Sequence, residues 1–188
     1  GPAALAMLLS EQGLDLTPDQ LVDEVYVPAR KGSLRPEMRA AIRARGLVAY
    51  PLEGELKAVF GEIAAGRPVL VMQNLGLSWY PRWHYAVAVG YDLPAGEIVL
   101  RSGTIRRRVT ELANFERTWA RSGYWAQVAV PPHSIPATAE PLPWLEAVRE
   151  LETTGRTAAA RSGYRAATQR WPDESIAWMA RGNAAYEA

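Results

Sequence analysis

The run Trp83-His84-Tyr85-Ala86-Val87-Ala88-Val89-Gly90-Tyr91 constrains the fold of this chain more than any other stretch. Its valine, alanine and tyrosine content suits a buried strand, and Gly90, Asp92 and Pro94 end it with turn signals. A strand of this kind holds its first side chains rigidly, so His84 is fixed at the mouth of an apolar run. An imidazole titrates near neutrality and can take up a proton and return it, which makes His84 the candidate general base. A hydrogen-bonded core histidine is the competing reading, and this run alone does not separate the two.

Helices precede this strand and further strands follow it. Pro2 suits a first helical turn, and Ala3 to Leu9 is apolar on nearly every side before Gly13, which predicts a buried helix. Thr17-Pro18-Asp19-Gln20 has the form of a capping box and opens a helix to about Val25. Another helix is predicted over Pro36 to Arg45, stopped by Gly46, with a short strand at Leu47 to Tyr50. Leu56, Val59, Phe60 and Ile63 mark one face of a helix over Glu55 to Ala65, with Gly66 as its stop. Pro68 to Met72 reads as a buried strand. After the His84 strand come strands at Glu97 to Leu100, Ile105 to Val109 and Tyr124 to Val130, with a helix over Glu111 to Arg121. The turns after residue 80 are too short for parallel crossovers. The expected class is therefore α+β, with helices packed beside an antiparallel sheet.

Composition removes several functions. Lys and Arg number 21 against 20 Asp and Glu, a net charge of +1, so there is no electrostatic case for nucleic acid. Arg106-Arg107-Arg108 is flanked by Ile105 and Val109, which favours a partly exposed strand over a phosphate-binding patch. The chain has no cysteine, which excludes a disulfide framework and a thiolate zinc site. Its two histidines, His84 and His133, make a histidine-rich metal site a poor expectation, and no cofactor is expected. No signal peptide is visible and no apolar segment approaches the roughly 18 to 20 residues that span a bilayer. The chain opens at Gly1-Pro2 without a methionine and already inside a core helix, so it reads as a fragment.

Beyond Pro131 the character changes. Five prolines fall between Pro131 and Pro143, and residues 131 to 142 read as a linker. Trp144 and Trp178 then lie 34 residues apart, with Ala160, Tyr164, Ala167 and Pro172 between them, which is the tetratricopeptide spacing. Gly182 fits the second unit, whereas Val148 stands where the first would carry glycine, and Ala185 replaces the usual large aromatic. One repeat is expected, with helices over Pro143 to Thr154 and Arg156 to Arg170, followed by the first helix of the next from Glu174. An ordinary amphipathic hairpin is the alternative.

The string Gly1-Pro2-Ala3-Ala4-Leu5-Ala6-Met7-Leu8-Leu9 and the run Trp83 to Asp92 resemble the papain-like cysteine peptidases of the bacteriocin-processing, C39-like type, in particular those followed by tetratricopeptide repeats. The resemblance covers residues 1 to 130 as a peptidase domain and 143 to 188 as repeats. It implies a papain-like fold with a C-terminal all-α hairpin. In that family the nucleophilic cysteine directly precedes the Gly-Pro-Ala string, so the resemblance implies truncation just after it and an inactive fragment. It further implies that Gly1 borders the oxyanion site and that His84 pairs with the thiolate. It places Ser102 where the family carries an orienting Asp or Asn, with Asn74, Gln73 or a backbone carbonyl as substitutes and a plain turn serine as the alternative. Asn74, Trp79 and Trp83 are the expected groove residues, with Tyr80 beside them, unless these aromatics are core. The expected partners are a peptide or protein substrate and a protein held by the repeats, in a cell-envelope or periplasmic setting suggested by the resemblance alone. A catalytically silent peptide-binding module is the second function, favoured by the missing acidic orienter.

Overall fold

The computed structural model describes residues 1–186. Its centre is a six-stranded antiparallel sheet in the order β3-β8-β4-β5-β6-β7. The strands are β3 (Val48–Pro51), β4 (Val69–Asn74), β5 (Trp83–Asp92), β6 (Glu97–Ser102), β7 (Ile105–Glu111) and β8 (Ala126–Val130). Strands β4 to β7 are sequential neighbours, as short turns require. β8 departs from the expected sequential order, because α5 (Leu112–Ala120) carries the chain back so that β8 pairs with both β3 and β4. Every residue of β8 and of β4 is buried, which fits the apolar composition of central strands.

Strand alternation divides the core in two. Leu70, Met72, Tyr85, Val87 and Ala129 face α1 (Pro2–Ser10), α2 (Pro18–Val25) and α3 (Arg35–Ala44), against Leu5, Leu9, Leu21, Met38 and Ile42. Val69, Val71, Ala86, Ala88, Ile98 and Val128 face the other side, against Val59 of α4 (Leu56–Ala64) and Phe115 and Trp119 of α5. The capping box closes as the sequence predicts: Gln20 N–H donates to Thr17 Oγ1 at 3.4 Å, and Thr17 N–H donates to Gln20 Oε1 at 2.8 Å. Between α2 and α3 lies a small hairpin without a sequence-level prediction. It comprises β1 (Tyr26–Val27), a 3-10 turn (Pro28–Arg30) and β2 (Gly32–Ser33), with Lys31 left-handed at φ 50°.

The C-terminal helices α6 (Pro141–Thr153), α7 (Thr157–Arg170) and α8 (Ser175–Tyr186) share the second core rather than forming one of their own. Trp144 is fully buried, lies 6.2 Å from the Tyr50 ring and donates its indole N–H to the Gly163 carbonyl at 3.1 Å. A Cβ on Gly163 would meet a Val148 methyl at 2.6 Å, so glycine is what lets α7 cross α6 this closely. The proline-rich connection is fastened along its length. Thr138 donates from its N–H and hydroxyl to the fully buried Glu62 at 2.7 and 2.8 Å, Glu140 N–H reaches the Tyr50 hydroxyl at 3.1 Å, and Arg67 reaches Ser134 at 3.1 Å.

Candidate active site

His84 is the second residue of β5, in register with Gln73 of β4. Its Nε2 lies 2.6 Å from Ser102 Oγ. Ser102 ends β6 just beyond a register shift against β7, the kind of irregularity that re-aims a side chain, and it is buried. A hydroxyl both donates and accepts, so Ser102 can serve either tautomer of the neutral ring. With Nε2 engaged there, Nδ1 is the nitrogen left for a reacting group.

A cleft of about 980 Å³ opens at the end of the sheet where β5 begins, and both Gly1 and His84 line it. By alternation His84 belongs to the side of Ala86 and Ala88, opposite α1. Gly1 and His84 both line the cleft, together with Met72 and Tyr85 from the α1 side of the sheet. The other wall is the β1–β2 hairpin with Arg30, Lys31 and Ser33. Ser33 approaches so closely that a Cβ at position 1 would come within 1.7 Å of its Oγ, and only glycine fits there. Pro2 starts α1 without an N–H to lose, and Leu5 N–H closes the first turn on the Gly1 carbonyl at 3.1 Å. The positive end of the α1 dipole therefore faces the cleft.

Charge in this cleft is unfavourable to cations. Burial lowers the His84 pKa first, and the positive charges of Arg108 and Arg82 lower it further. The Tyr85 hydroxyl, beneath the cleft, is pushed up to about 12 by burial, partly offset by Arg35, so it stays protonated at neutral pH. A neutral imidazole beside a helix N-terminus is suited to take a proton, and an anion formed close to it would be stabilised. Among the described residues no group of His, Asp and Glu comes together as metal ligands.

The expected groove residues separate. Trp83 lines the cleft and is 53% exposed. Asn74 does not line it: it is buried, and its Oδ1 accepts from Gly76 N–H at 2.9 Å and Arg82 N–H at 2.8 Å. These bonds commit it to shaping the loop before β5, which also removes it as an orienter of His84. Trp79 is a second correction, because it lies at the tip of that loop, 81% exposed and 6.2 Å from the Tyr80 ring, outside the cleft lining. Neither ring is core. Gln73, the cross-strand neighbour of His84, donates to Thr118 Oγ1 at 2.7 Å instead. Sequence reasoning missed the hairpin wall, whose one signal was the turn-forming string Pro28-Ala29-Arg30-Lys31-Gly32.

An antiparallel sheet with α1 to α3 on one side and α4 and α5 on the other is the α+β architecture of the C39-type peptidase domains. The peptidase domain of Streptococcus ComA, a bi-functional ABC transporter involved in quorum sensing, superposes with a TM-score of 0.54 at 15% identity, covering 69% of this chain and 89% of that one. A putative C39-like peptidase from Bacillus anthracis gives 0.57 at 16%, covering 69% and 86%. A double glycine motif protease from an AMS/PCAT transporter, in complex with its leader peptide, gives 0.50 at 17%, covering 69% and 82%. No curated protein sequence matches the chain. The model of the Peptidase_C39 like family matches residues 1–127, and the chain belongs to that family.

Proposed function

We propose that this chain is the body of a cysteine peptidase whose nucleophile is a cysteine directly before Gly1, with His84 as general base and Ser102 as its orienting residue. The observation that carries the reading is the shared cleft: the imidazole, held from behind by Ser102 at 2.6 Å, opens onto the amino end of α1. A sulfur attached there would lie at the positive end of the helix dipole, where a thiolate is favoured. The thiolate attacks the scissile carbonyl carbon. The imidazolium then gives its proton to the leaving amine, and water attacks the acyl-enzyme with His84 taking its proton, freeing the acid and the thiolate. Backbone amides around Gly1, Pro2 excepted, border the oxyanion.

The substrate class is a peptide or protein segment, supported by family membership and by the relative bound to a leader peptide. In this reading residues 1 to 130 are the peptidase domain, 131 to 142 the linker, and 143 to 188 a tetratricopeptide segment that holds a protein partner. The reading predicts that the gene codes for cysteine immediately before Gly1, with a glutamine about six residues earlier for the oxyanion. Any residue there other than cysteine, or a serine able to replace it, overturns the proposal. The chain extended to include that cysteine should be alkylated by iodoacetamide faster than a free thiol near neutral pH. His84→Ala should remove both that advantage and peptide turnover.

A second reading has one observation in its favour. Ser102 carries no charge, so it cannot stabilise imidazolium as an acidic orienter does. A peptide-binding module without turnover follows, and equal alkylation of the wild type and His84→Ala, with no cleavage by either, would select it.

A further inference from the structure

Helix α3 repeats one residue type at one spacing. Arg35, Arg39 and Arg43 stand four residues apart, so their side chains rise along a single face of the helix. Like charges at this spacing repel one another and weaken a helix. All three line a pocket of about 610 Å³, within the size range of small-molecule sites, whose other wall is the end of α6 with Glu150, Thr153 and Thr154.

The three guanidinium groups are occupied differently. Arg35 donates to the Ser122 carbonyl and lies 5.6 Å over the Trp125 ring. Arg43 pairs with Glu150, the one acidic residue in the lining. Arg39, between them, has no hydrogen bond or ion pair with any described residue. Burial reaches its Nε but not its outer nitrogens, so the guanidinium is embedded in the wall with its outer edge open. The Thr153 and Thr154 hydroxyls donate to the Glu150 and Leu151 carbonyls at 3.0 and 2.7 Å, so any anion in the pocket is left to the arginines. Three cations against one carboxylate leave an excess of positive charge there. Pro36, Pro51 and Trp125 add apolar surface beside it.

We infer that this pocket binds a small, soluble phosphate monoester, with its phosphate on Arg39 between Arg35 and Arg43 and its organic body against Trp125, Pro36 and Pro51. A carboxylate brings one charge and two oxygens. A phosphate monoester brings nearly two charges and three acceptor oxygens, which suits a row of guanidinium groups with only one carboxylate among them. The site is distinct from the cleft of His84: Arg35 and Pro36 are the residues that line both. It does not rest on the peptidase reading, and no nucleophile is needed to test it.

The test is isothermal titration calorimetry of the 188-residue chain with adenosine monophosphate, adenosine and inorganic phosphate. At low salt the nucleotide should bind about tenfold tighter than adenosine and about threefold tighter than phosphate alone, and about 150 mM salt should weaken it. Arg39→Gln keeps much of the stem and removes the charge. It should lower nucleotide affinity about tenfold without lowering Tm, since it relieves repulsion along the helix. Glu150→Gln releases Arg43 and should tighten the nucleotide about threefold, a gain that a merely structural arginine row would not give. Arg30→Gln, in the other cleft, should leave binding as it is. Equal binding of nucleotide and adenosine, undiminished binding by Arg39→Gln, or an equal loss in Arg30→Gln overturns the inference. So does binding to phosphatidic acid vesicles without binding to the nucleotide, which would assign the arginines to a lipid headgroup. Should circular dichroism show Arg39→Gln unfolded, Glu150→Gln decides, and unchanged or weaker nucleotide binding by it overturns the inference.

Discussion

Two polar pairings in this molecule are built to opposite ends. Glu62 is fully buried on α4, where its Oε1 accepts two hydrogen bonds from Thr138 and its Oε2 faces Arg67 at 3.7 Å. Among the described residues His84 has one side-chain hydrogen-bond partner, Ser102, and it is half-buried near the positive charges of Arg108 and Arg82 at the edge of an open cleft. In the first, the carboxylate is enclosed, held by Thr138 and faced by Arg67, so the pairing fastens the connection after β8 to α4 and couples the C-terminal helices to the body of the fold. In the second, the imidazole keeps one nitrogen uncommitted and its charge state poorly supported. Such a group is held in place yet available to react, and the charge it lacks is one that a bound partner can bring.

The comparison predicts that damage on the enclosed side is felt as stability. Trp144→Ala empties the point where α6, α7 and Tyr50 meet and should cost about 3–5 kcal/mol. Because one core runs from β3 through α8, far-UV and near-UV circular dichroism should lose signal in one coincident transition at a lower Tm. Helices that melt first, leaving the sheet intact, would show that the C-terminal segment is an independent unit. Glu62→Ala comes next. It strands the Thr138 N–H and hydroxyl and should cost about 2 kcal/mol, read as a lower urea midpoint with an unchanged m-value.

What was legible in the sequence follows the same division. The His84 strand, the capping box at Thr17 and the helix with Leu56, Val59, Phe60 and Ile63 were readable because each rests on contacts within about ten residues, where periodicity and caps act. The insertion of β8 between β3 and β4 was not, since nothing local in Ala126–Val130 tells which strands it pairs with. The pairing of His84 with Ser102 came from the family resemblance, because their separation of 18 residues carries no local signal. Asn74 and Trp79 were misplaced for a related reason: strand alternation and loop geometry, not proximity to His84 in the chain, decide what enters the cleft. The gathering of cations around His84 was invisible because the hairpin pair Arg30 and Lys31, Arg82 before β5 and Arg108 on β7 come from distant parts of a nearly neutral chain.

On the cleft side the expected stability effects are smaller and depend on pH. Burial and nearby cations hold the His84 pKa below its usual value, so the unfolded chain binds that proton more readily than the folded one. Stability from this group is complete above the unfolded imidazole value, about 6.5, and is lost as pH falls below it toward the folded pKa. Tm should therefore decline from neutral to mildly acidic pH, and His84→Gln should flatten part of that decline. Equal slopes in the two proteins would mean that the ring is as easily protonated folded as unfolded.

The smallest change in stability, and the most informative about chemistry, is expected for Ser102→Asp. A carboxylate 2.6 Å from Nε2 would favour imidazolium, so the His84 titration followed by NMR should move upward from its depressed position. The site already contains Arg82 and Arg108, whose fields the new charge would partly cancel, so burial of the carboxylate should be offset and Tm should change little. In the cysteine-containing chain the same substitution should raise the thiolate fraction near neutral pH and speed alkylation, because a stabilised imidazolium stabilises the thiolate paired with it. An upward His84 shift without faster alkylation would mean that the imidazole and the residue before Gly1 do not act as a pair. The cleft would then be a place for binding, its single hydroxyl partner sufficient for that task.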